Sequence, residues 1–464
     1  MLALLLLACQ PDTPVSPPTS PSSSVGALQF VGPPPTNLLV ISLDTMRRDH
    51  AGRYRVGGES LTPFLDARMA EGVELVDFTS CSNWTVAATT CALAGATNLD
   101  RAGSRGMVPI LTTKPLANLP GEGDPFGPTP LLPFWLGLEG FSTGLVTANG
   151  YFSALFGNAQ GFDQIVYPGP ERLPVLTELA LSELPLSLGR RYTHLHAFEP
   201  HAPYLPDPAY LGGLDALPPL PYDLTTEEGQ NAARAALAAD PPVLTDDVIA
   251  AIRDHLRVRY AGEVAQFDAG LEESWAALDA VGWLDDTLVV FFTDHGEALW
   301  EHESVSKHAH RLYREENDAI AWFWAKNLTP GAWSGPTTQS DLAPTVMAVF
   351  GLPIPPEMTG IPVGLAPEDR LRFSFADAID GPVHALHDGH GKMQFRWSGD
   401  GRTNLGYYDL ASDPEERFNR YDPDDPSPEV RRAWALLKPE ILAAEPWVAA
   451  DPRGWEVAWP AGLP

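Results

Sequence analysis

Acidic and imidazole side chains follow three predicted strands of this 464-residue chain. Each group stands directly after an apolar run: Asp44 after 37–43, Glu199 and His201 after 193–198, and Asp294 and His295 after 288–293. Ligands of doubly wound sheets bind at the carboxyl ends of the strands, so we expect the three groups to converge. Carboxylates and neutral imidazoles together form divalent metal sites. A single Asp after a strand is more often a turn residue or a helix cap, but three groups on one edge favour a metal site.

The elements that must hold these groups alternate between strands and helices. A further strand is predicted over 145–148, and apolar residues at steps of three and four predict one long amphipathic helix over 260–281. A second helix is predicted after Thr62, with Thr62 as its cap and Pro63 in its first turn. This alternation predicts an α/β domain in which helices cover both faces of a mostly parallel sheet.

The pattern changes near residue 355, and we predict a principal domain over 37–355 and a C-terminal α+β subdomain over 356–464. Four short antiparallel strands are expected in this subdomain, followed by a helix that begins at Ser427 and is broken or kinked at Pro439. The Pro-rich stretches 103–130 and 205–243 are weakly periodic and are predicted to be loops.

Composition excludes several classes of function. The chain carries 60 acidic and 30 basic side chains, for a formal charge of −30. This charge repels phosphate backbones, so no nucleic-acid partner is expected. No apolar run approaches the 18 or more residues of a spanning helix, and the 44% apolar content is that of a globular protein.

The amino terminus has the form of a processing signal. An apolar block over 2–8 precedes Cys9, and a Pro-, Ser- and Thr-rich stretch follows over 10–36. Leu6 to Cys9 resembles a bacterial lipobox, which implies a signal over 1–9, a lipid on Cys9 and a tether over 10–36. The protein would then be an exported lipoprotein of the cell envelope, bound to the membrane through its anchor alone. The alternatives are a mis-set start codon and a chance Cys after leucines.

Two more cysteines, Cys81 and Cys91, lie ten residues apart. In an exported protein they could form one disulfide. The alternative is a pair of buried free thiols, and the sequence does not separate the two.

Six segments resemble the sulfatase family of the alkaline phosphatase superfamily in order and spacing. They are LDTMRRDH, TPFLDARMAEGVELVDFTS, SNWTVAATTCALAGAT, FEPHAPY, TDHGEALWEH and KHAHRLYREE, and the tail YYDLASDPEERFN resembles the family's C-terminal subdomain. The resemblance covers about 37–439. It implies an alkaline-phosphatase-like three-layer sandwich around a mostly parallel sheet, and a hydrolase of sulfate or phosphate esters of small molecules, glycans or lipids.

The family's nucleophile is a formylglycine made from Cys or Ser in C/S-x-P-x-R, and Thr85 occupies that position here. Thr cannot be converted, so no formylglycine is expected. A Thr nucleophile resembles instead the phosphodiesterases and the phosphoglycerol or phosphoethanolamine transferases of the superfamily. A hydroxyl needs a metal to lower its pKa, and the resemblance assigns that metal to Asp44, Thr85, Asp294 and His295. The alternative for Thr85 is a plain helix N-cap.

The resemblance assigns further residues to the site. His201 matches a position that binds the ester oxygen or protonates the leaving group, and His308 matches a second active-site position. Asn149 and Arg47 match positions expected to bind substrate, and the alternative for Arg47 is to steady the carboxylates. For both histidines the alternative is a buried structural imidazole.

Four positions depart from the family pattern. Thr45 replaces the second Asp of the calcium-binding pair, Thr89 replaces the Arg of the modification signal, Asn149 replaces a Lys, and Glu199 replaces an Asp. Losing a carboxylate while keeping His295 favours one Mn or Zn ion over Ca. The sequence therefore predicts a metal-dependent hydrolase of phosphodiesters or phosphonate esters. The alternatives are a catalytically inactive sulfatase-fold surface binding protein and a phosphoglycerol- or phosphoethanolamine-type transferase.

Overall fold

The computed structural model of the chain describes residues 22–55, 58–97, 130–153, 156–184, 189–239, 243–302, 306–376, 381–399, 404–449 and 454–463. The strands are β1 (Ser22–Val25), β2 (Leu28–Val31), β3 (Asn37–Leu43), β4 (Val73–Leu75), β5 (Phe78–Thr79), β6 (Ser142–Thr147), β7 (Gln164–Val166), β8 (Arg191–Ala197), β9 (Thr287–Thr293), β10 (Ala298–Leu299), β11 (Ser306–Lys307), β12 (Ala321–Trp324), β13 (Gly331–Trp333), β14 (Thr337–Thr338), β15 (Arg372–Ala376), β16 (Val383–His387), β17 (Lys392–Arg396) and β18 (Asn404–Tyr408). The α-helices are α1 (Pro63–Ala70), α2 (Thr85–Ala94), α3 (Leu132–Leu138), α4 (Leu173–Glu183), α5 (Glu227–Leu237), α6 (Asp246–Ala280), α7 (Arg314–Asn317), α8 (Leu342–Val349) and α9 (Pro428–Ala449).

An eight-stranded sheet organises the principal domain, in the order β13-β4-β12-β9-β3-β8-β6-β7. Neighbouring strands are parallel except at β12, which is antiparallel to both β9 and β4. β3 lies at the centre with β8 and β9 on either side, in registers that pair Leu43 with Ala197 and with Thr293. The carboxyl ends of these three strands therefore meet at one edge of the sheet.

Side-chain alternation along β3 explains the three layers. Leu39, Ile41 and Leu43 point into a core shared with α1, α4 and α6, whereas Leu38 and Val40 point into a core shared with α2, α3 and α8. A strand that is buried on both faces reads as a continuous apolar run, which is what 37–43 shows. The predicted three-layer sandwich around a mostly parallel sheet is confirmed.

Two local expectations need correction. The long helix is confirmed over 260–280, but α6 begins earlier, at Asp246. The Thr62 side chain accepts no capping hydrogen bond from α1. Instead Asp268 of α6 accepts the N–H groups of Phe64 and Leu65 at 2.9 and 2.8 Å. A tertiary contact therefore replaces the local cap.

The C-terminal sheet is antiparallel, in the order β15-β16-β17-β18, and α9 packs against it over a core of its own. This confirms the predicted small antiparallel sheet. The helix α9 continues through Pro439, so the proline does not break it, and a kink there stays a prediction. Leu437 and Ile441 on either side of the proline are buried in the core, and this packing offsets the lost hydrogen bond. The limits of the two domains stay a prediction.

The two predicted loop regions have different outcomes. The stretch 205–243 contains α5, so it is not wholly irregular. The stretch 103–130 lies outside the described residues, apart from residue 130. None of the described helices is both long and apolar enough to cross a bilayer.

Candidate active site

Two carboxylates meet where β3 and β9 end. Asp44 follows β3 and Asp294 follows β9, and both side chains are fully buried. The Asp294 amide donates to the Leu43 carbonyl at 2.9 Å, so the pairing of β3 with β9 continues up to the two carboxylates. Burial raises the pKa of Asp294 well above its usual value, and the neighbouring Asp44 charge raises it further. Two buried carboxylates this close require a compensating positive charge.

Two imidazoles join the carboxylates. The Nε2 atom of His295 lies 3.6 Å from both Asp44 Oδ1 and Asp294 Oδ2. Ligand atoms of Asp44, Asp294 and His196 all lie within 4.8 Å of one another. Burial lowers the pKa of His196 and of His295 to about 3, so both rings are neutral at pH 7 and keep a lone pair.

These four side chains fit a divalent cation. Asp44 Oδ1, Asp294 Oδ2, His196 Nε2 and His295 Nε2 are all buried without a hydrogen-bond partner in the described part of the protein. Unpaired buried polar atoms are costly, and atoms that converge at one point indicate a ligand. Two carboxylates and two imidazoles suit manganese or zinc better than calcium.

His196 was not predicted from the sequence. It lies on β8 opposite Ser42 of β3, and the Ser42 hydroxyl is 2.7 Å from its Nδ1 atom, which turns Nε2 towards the carboxylates. The available signal was a histidine inside an apolar strand, one residue before the strand ends. Only the β3–β8 register shows that this histidine faces Asp44.

Thr85 stands beside the carboxylates at the first residue of α2. Its hydroxyl donates to Asp44 Oδ2 at 3.4 Å and accepts from Asn149 Nδ2 at 3.2 Å. Asn149 Nδ2 also donates to Asp44 Oδ2. Thr85 is not the N-cap of α2, since Trp84 has that position. The hydroxyl is therefore directed to the carboxylates rather than to the helix end.

His308 lies next to His295, and His201 lies next to His308. The His308 ring is centred 4.6 Å from that of His295 and 5.1 Å from that of His201. His308 is flanked by Lys307 and Ala309, whose φ angles of 71° and 65° are unfavourable for residues with a side chain. Backbone strain of this kind persists where the surroundings enforce it, and functional sites are a common place for it.

A further buried carboxylate, not singled out from the sequence, adjoins these histidines. Glu297 is fully buried, its Oε2 atom is 3.6 Å from His308 Nδ1, and neither carboxylate oxygen has a hydrogen-bond partner in the described part. Its only sequence signal is its position three residues after Asp294.

The guanidinium of Arg47 forms its hydrogen bonds with other residues of the protein. Its guanidinium donates to Asp49, to the Glu301 carboxylate at 2.6 Å and to the Glu297 carbonyl at 3.0 Å. These bonds use Nε, Nη1 and Nη2. A direct contact of Arg47 with substrate stays a prediction.

The departures from the family pattern have local partners. Thr45, at φ 59°, donates its amide to Asp294 Oδ1 at 3.1 Å. The Thr89 hydroxyl donates to the Thr85 carbonyl at 2.6 Å and accepts from Asn158 at 3.0 Å. Thr89 thus belongs to a neutral hydrogen-bond chain, and its correspondence to the family Arg stays a prediction. Glu199 lies outside the metal group, near Arg172.

The cysteines around Thr85 are joined. Cys81 and Cys91 form a disulfide that spans the turn before α2 and most of that helix. Cys9 lies outside the described residues.

The chain can now be compared with known proteins. A family model described as Sulfatase matches residues 36–352. Arylsulfatase K from Xenopus laevis is 28% identical over 186 residues, which are 36% of this chain and 34% of that protein. The chain thus matches about a third of the length of such curated relatives.

Solved structures match over nearly their whole length. The phosphonate monoester hydrolase SpPMH from Silicibacter pomeroyi has a TM-score of 0.62 at 19% identity, covering 91% of this chain and all of that one. BT1596, a 2-O GAG sulfatase, has a TM-score of 0.64 at 17% identity, covering 93% and 98%. These similarities show an alkaline-phosphatase-like α/β fold. The carboxylate–imidazole centre at its strand ends is seen in the geometry of this chain. Within the class that this fold defines, the family model shows that the chain belongs to the sulfatase family.

Proposed function

We propose that this protein is a metal-dependent hydrolase of phosphodiesters or phosphonate esters, with Thr85 as its nucleophile. The observation that carries the proposal is the Thr85 hydroxyl, held at the first residue of α2 between Asp44 and Asn149. Among solved structures with this fold are phosphonate monoester hydrolases. A metal ion bound by Asp44, Asp294, His196 and His295 would supply Lewis-acid chemistry and lower the pKa of a bound hydroxyl.

Each residue of the site then has a separate role in the reaction. Thr85 Oγ attacks phosphorus and passes its proton to Asp44 Oδ2, which already accepts its hydrogen bond. The bond from phosphorus to the leaving oxygen breaks, and the Thr–O–P ester remains. Asn149 orients the hydroxyl, and the first N–H groups of α2 favour the anionic ester that forms there. His201 gives a proton to the leaving oxygen, because burial lowers the pKa of His308 to about 3 and leaves that ring neutral. Water then attacks phosphorus and gives a proton to His201. The Thr85 Oγ–P bond breaks, and Thr85 Oγ takes its proton back from Asp44.

The same reasoning separates phosphorus esters from sulfate esters. A formylglycine hydrate has a second hydroxyl that can expel sulfate, whereas Thr85 has only one. Release from Thr85 therefore requires attack by water on the central atom, and the proposal favours phosphorus chemistry for this reason.

The test combines turnover with trapping of the ester. Metal-loaded protein is assayed with aryl esters of phosphonate, phosphodiester, phosphomonoester and sulfate, and the phosphonate reaction is quenched in acid. Phosphonate or diester turnover together with a phosphonyl mass on the peptide that contains Thr85 is the expected result. Sulfate turnover that survives Thr85→Ala contradicts the proposal. Metal binding without turnover of any ester supports instead the inactive binding protein.

We also propose that the protein acts in the cell envelope, held there by a lipid on Cys9. A disulfide between Cys81 and Cys91 supports this proposal, because such bonds persist in oxidising compartments. Metabolic labelling with palmitate should mark the wild-type protein and leave Cys9→Ser unlabelled. Equal labelling of the two proteins would exclude this anchor.

A further inference from the structure

An aromatic surface stands beside Thr85 and has no part in the mechanism above. We define the aromatic wall as Trp84, Tyr151, Phe156 and Tyr167. Trp84 and Phe156 belong to a small apolar cluster that is separate from the two large cores of the principal domain. The Tyr151 ring packs on Phe156 with ring centroids 5.1 Å apart. The wall is therefore not simply an extension of a core.

The wall is connected directly to the nucleophile. Trp84 immediately precedes Thr85, and the Tyr151 amide donates to Asn149 Oδ1 at 2.8 Å. Asn149 Nδ2 in turn lies 3.2 Å from Thr85 Oγ1. On the far side, the Tyr167 hydroxyl would lie 3.2 Å from a Cβ atom at Gly150, so a glycine keeps the backbone close to this ring.

The wall combines exposed ring surface with an unpaired donor. Tyr151 is 48% exposed and Tyr167 is 55% exposed, so both rings offer surface to a ligand. Trp84 is only 7% exposed, yet its indole Nε1–H has no hydrogen-bond partner in the described part, and neither does the Ser153 hydroxyl. A buried unpaired donor is costly, so it indicates a missing partner.

The wall carries no charge of its own. Residues 149–167 include neither Lys nor Arg, and their single acidic residue is Asp163. The Asp163 carboxylate accepts the Thr143 amide at 2.8 Å and is thereby engaged away from the wall. Aromatic surface with a few polar groups and no charge is typical of a site for an uncharged ring.

The position of the aromatic wall determines which part of the substrate it can contact. In-line displacement at phosphorus places the leaving group opposite Thr85 Oγ. A surface beside the nucleophile instead faces a substituent that stays on phosphorus. Resting on the function proposed above, we infer that the aromatic wall binds an uncharged aryl substituent that phosphorus retains in the Thr85 ester. A sulfate monoester has no such substituent, whereas a phosphonate ester or a phosphodiester has one.

Two esters with the same leaving group test this inference. 4-Nitrophenyl phenylphosphonate and 4-nitrophenyl methylphosphonate differ only in the retained group. With the metal-loaded full chain, we expect kcat/KM to favour the phenyl compound at least ~10-fold. Tyr151→Ala and Tyr167→Ala should each reduce this ratio roughly 3- to 10-fold, since an aromatic contact is lost. Phe418→Ala, a 69%-exposed aromatic side chain of the C-terminal subdomain, is the matched control and should change neither the ratio nor the rate.

The remaining outcomes are decisive as well. A wild-type ratio near one, or a ratio that neither tyrosine variant changes, overturns the assignment of the wall. If wild-type protein hydrolyses neither ester, the proposed function fails. Binding of phenylphosphonate and of methylphosphonate, measured by calorimetry, then tests the aromatic wall independently of turnover. Tighter binding of phenylphosphonate that Tyr151→Ala abolishes supports it. Equal binding of the two compounds, or none, overturns it.

Discussion

Replacing the proposed nucleophile should remove activity while leaving the fold intact. In the described part of the protein, Thr85 Oγ1 donates to Asp44 at 3.4 Å, which is long, and accepts from Asn149 at 3.2 Å. Its side chain also interacts with Asp294. Deleting these interactions costs about 1 kcal/mol of folding free energy. Ala is a better helix former than Thr by roughly 0.5 kcal/mol, so the net loss for Thr85→Ala stays within ~1 kcal/mol. The effect on kcat should be much larger than the effect on stability, because loss of a nucleophile lowers kcat by roughly 10⁴-fold or more.

The assay measures kcat on 4-nitrophenyl phenylphosphonate and the free energy of unfolding in urea for each variant. Thr85→Ser keeps the hydroxyl, and we expect it to retain kcat to within ~10-fold. Thr90→Ala makes the same substitution on α2, where the hydroxyl donates to the Val86 carbonyl, and should leave kcat unchanged. The assignment is refuted if Thr85→Ala keeps more than ~1% of wild-type kcat, since a bystander hydroxyl loses no more than its hydrogen bonds.

Three further predictions concern metal binding, folding and pH. His196→Ala should weaken binding of Mn or Zn at least ~10-fold in calorimetry, because a ligand is lost, and unchanged affinity would exclude His196 from the centre. Glu416→Gln should lower the free energy of unfolding by roughly 3 kcal/mol, because Lys392, 2.9 Å away and fully buried, loses its counter-charge; urea unfolding with a loss below ~1 kcal/mol would contradict this. Burial raises the pKa of Glu199 to about 7 despite the nearby Arg172, so the folded state holds this proton more tightly than the unfolded state. The resulting stability is full below pH 4.5 and is lost as the pH rises towards 7. Urea unfolding at pH 5 and 8 should show a fall in the free energy of unfolding that is roughly 2–3 kcal/mol smaller in Glu199→Gln than in the wild-type protein, and parallel pH profiles of the two proteins would contradict the assignment.

The sequence by itself determined the class of fold and two of the carboxylates at its centre. An apolar run that ends in an acidic residue identifies both a buried parallel strand and its functional end, as Asp44 and Asp294 show. The long amphipathic pattern predicted α6 for a similarly local reason, since helical period is a property of neighbouring residues. Thr85 was predicted from its place within the segment SNWTVAATTCALAGAT, which resembles a sulfatase motif.

Only the tertiary structure decided how these pieces meet. His196 faces the carboxylates because β8 pairs with β3 in one register, and a shift of one residue would turn it to the opposite face. Asp268 replaces Thr62 as the cap of α1, although the two residues are about two hundred positions apart. Packing in the C-terminal core carries α9 through Pro439, against its local preference. Register, long-range hydrogen bonds and packing all depend on residues distant in sequence, which is why local pattern could not supply them.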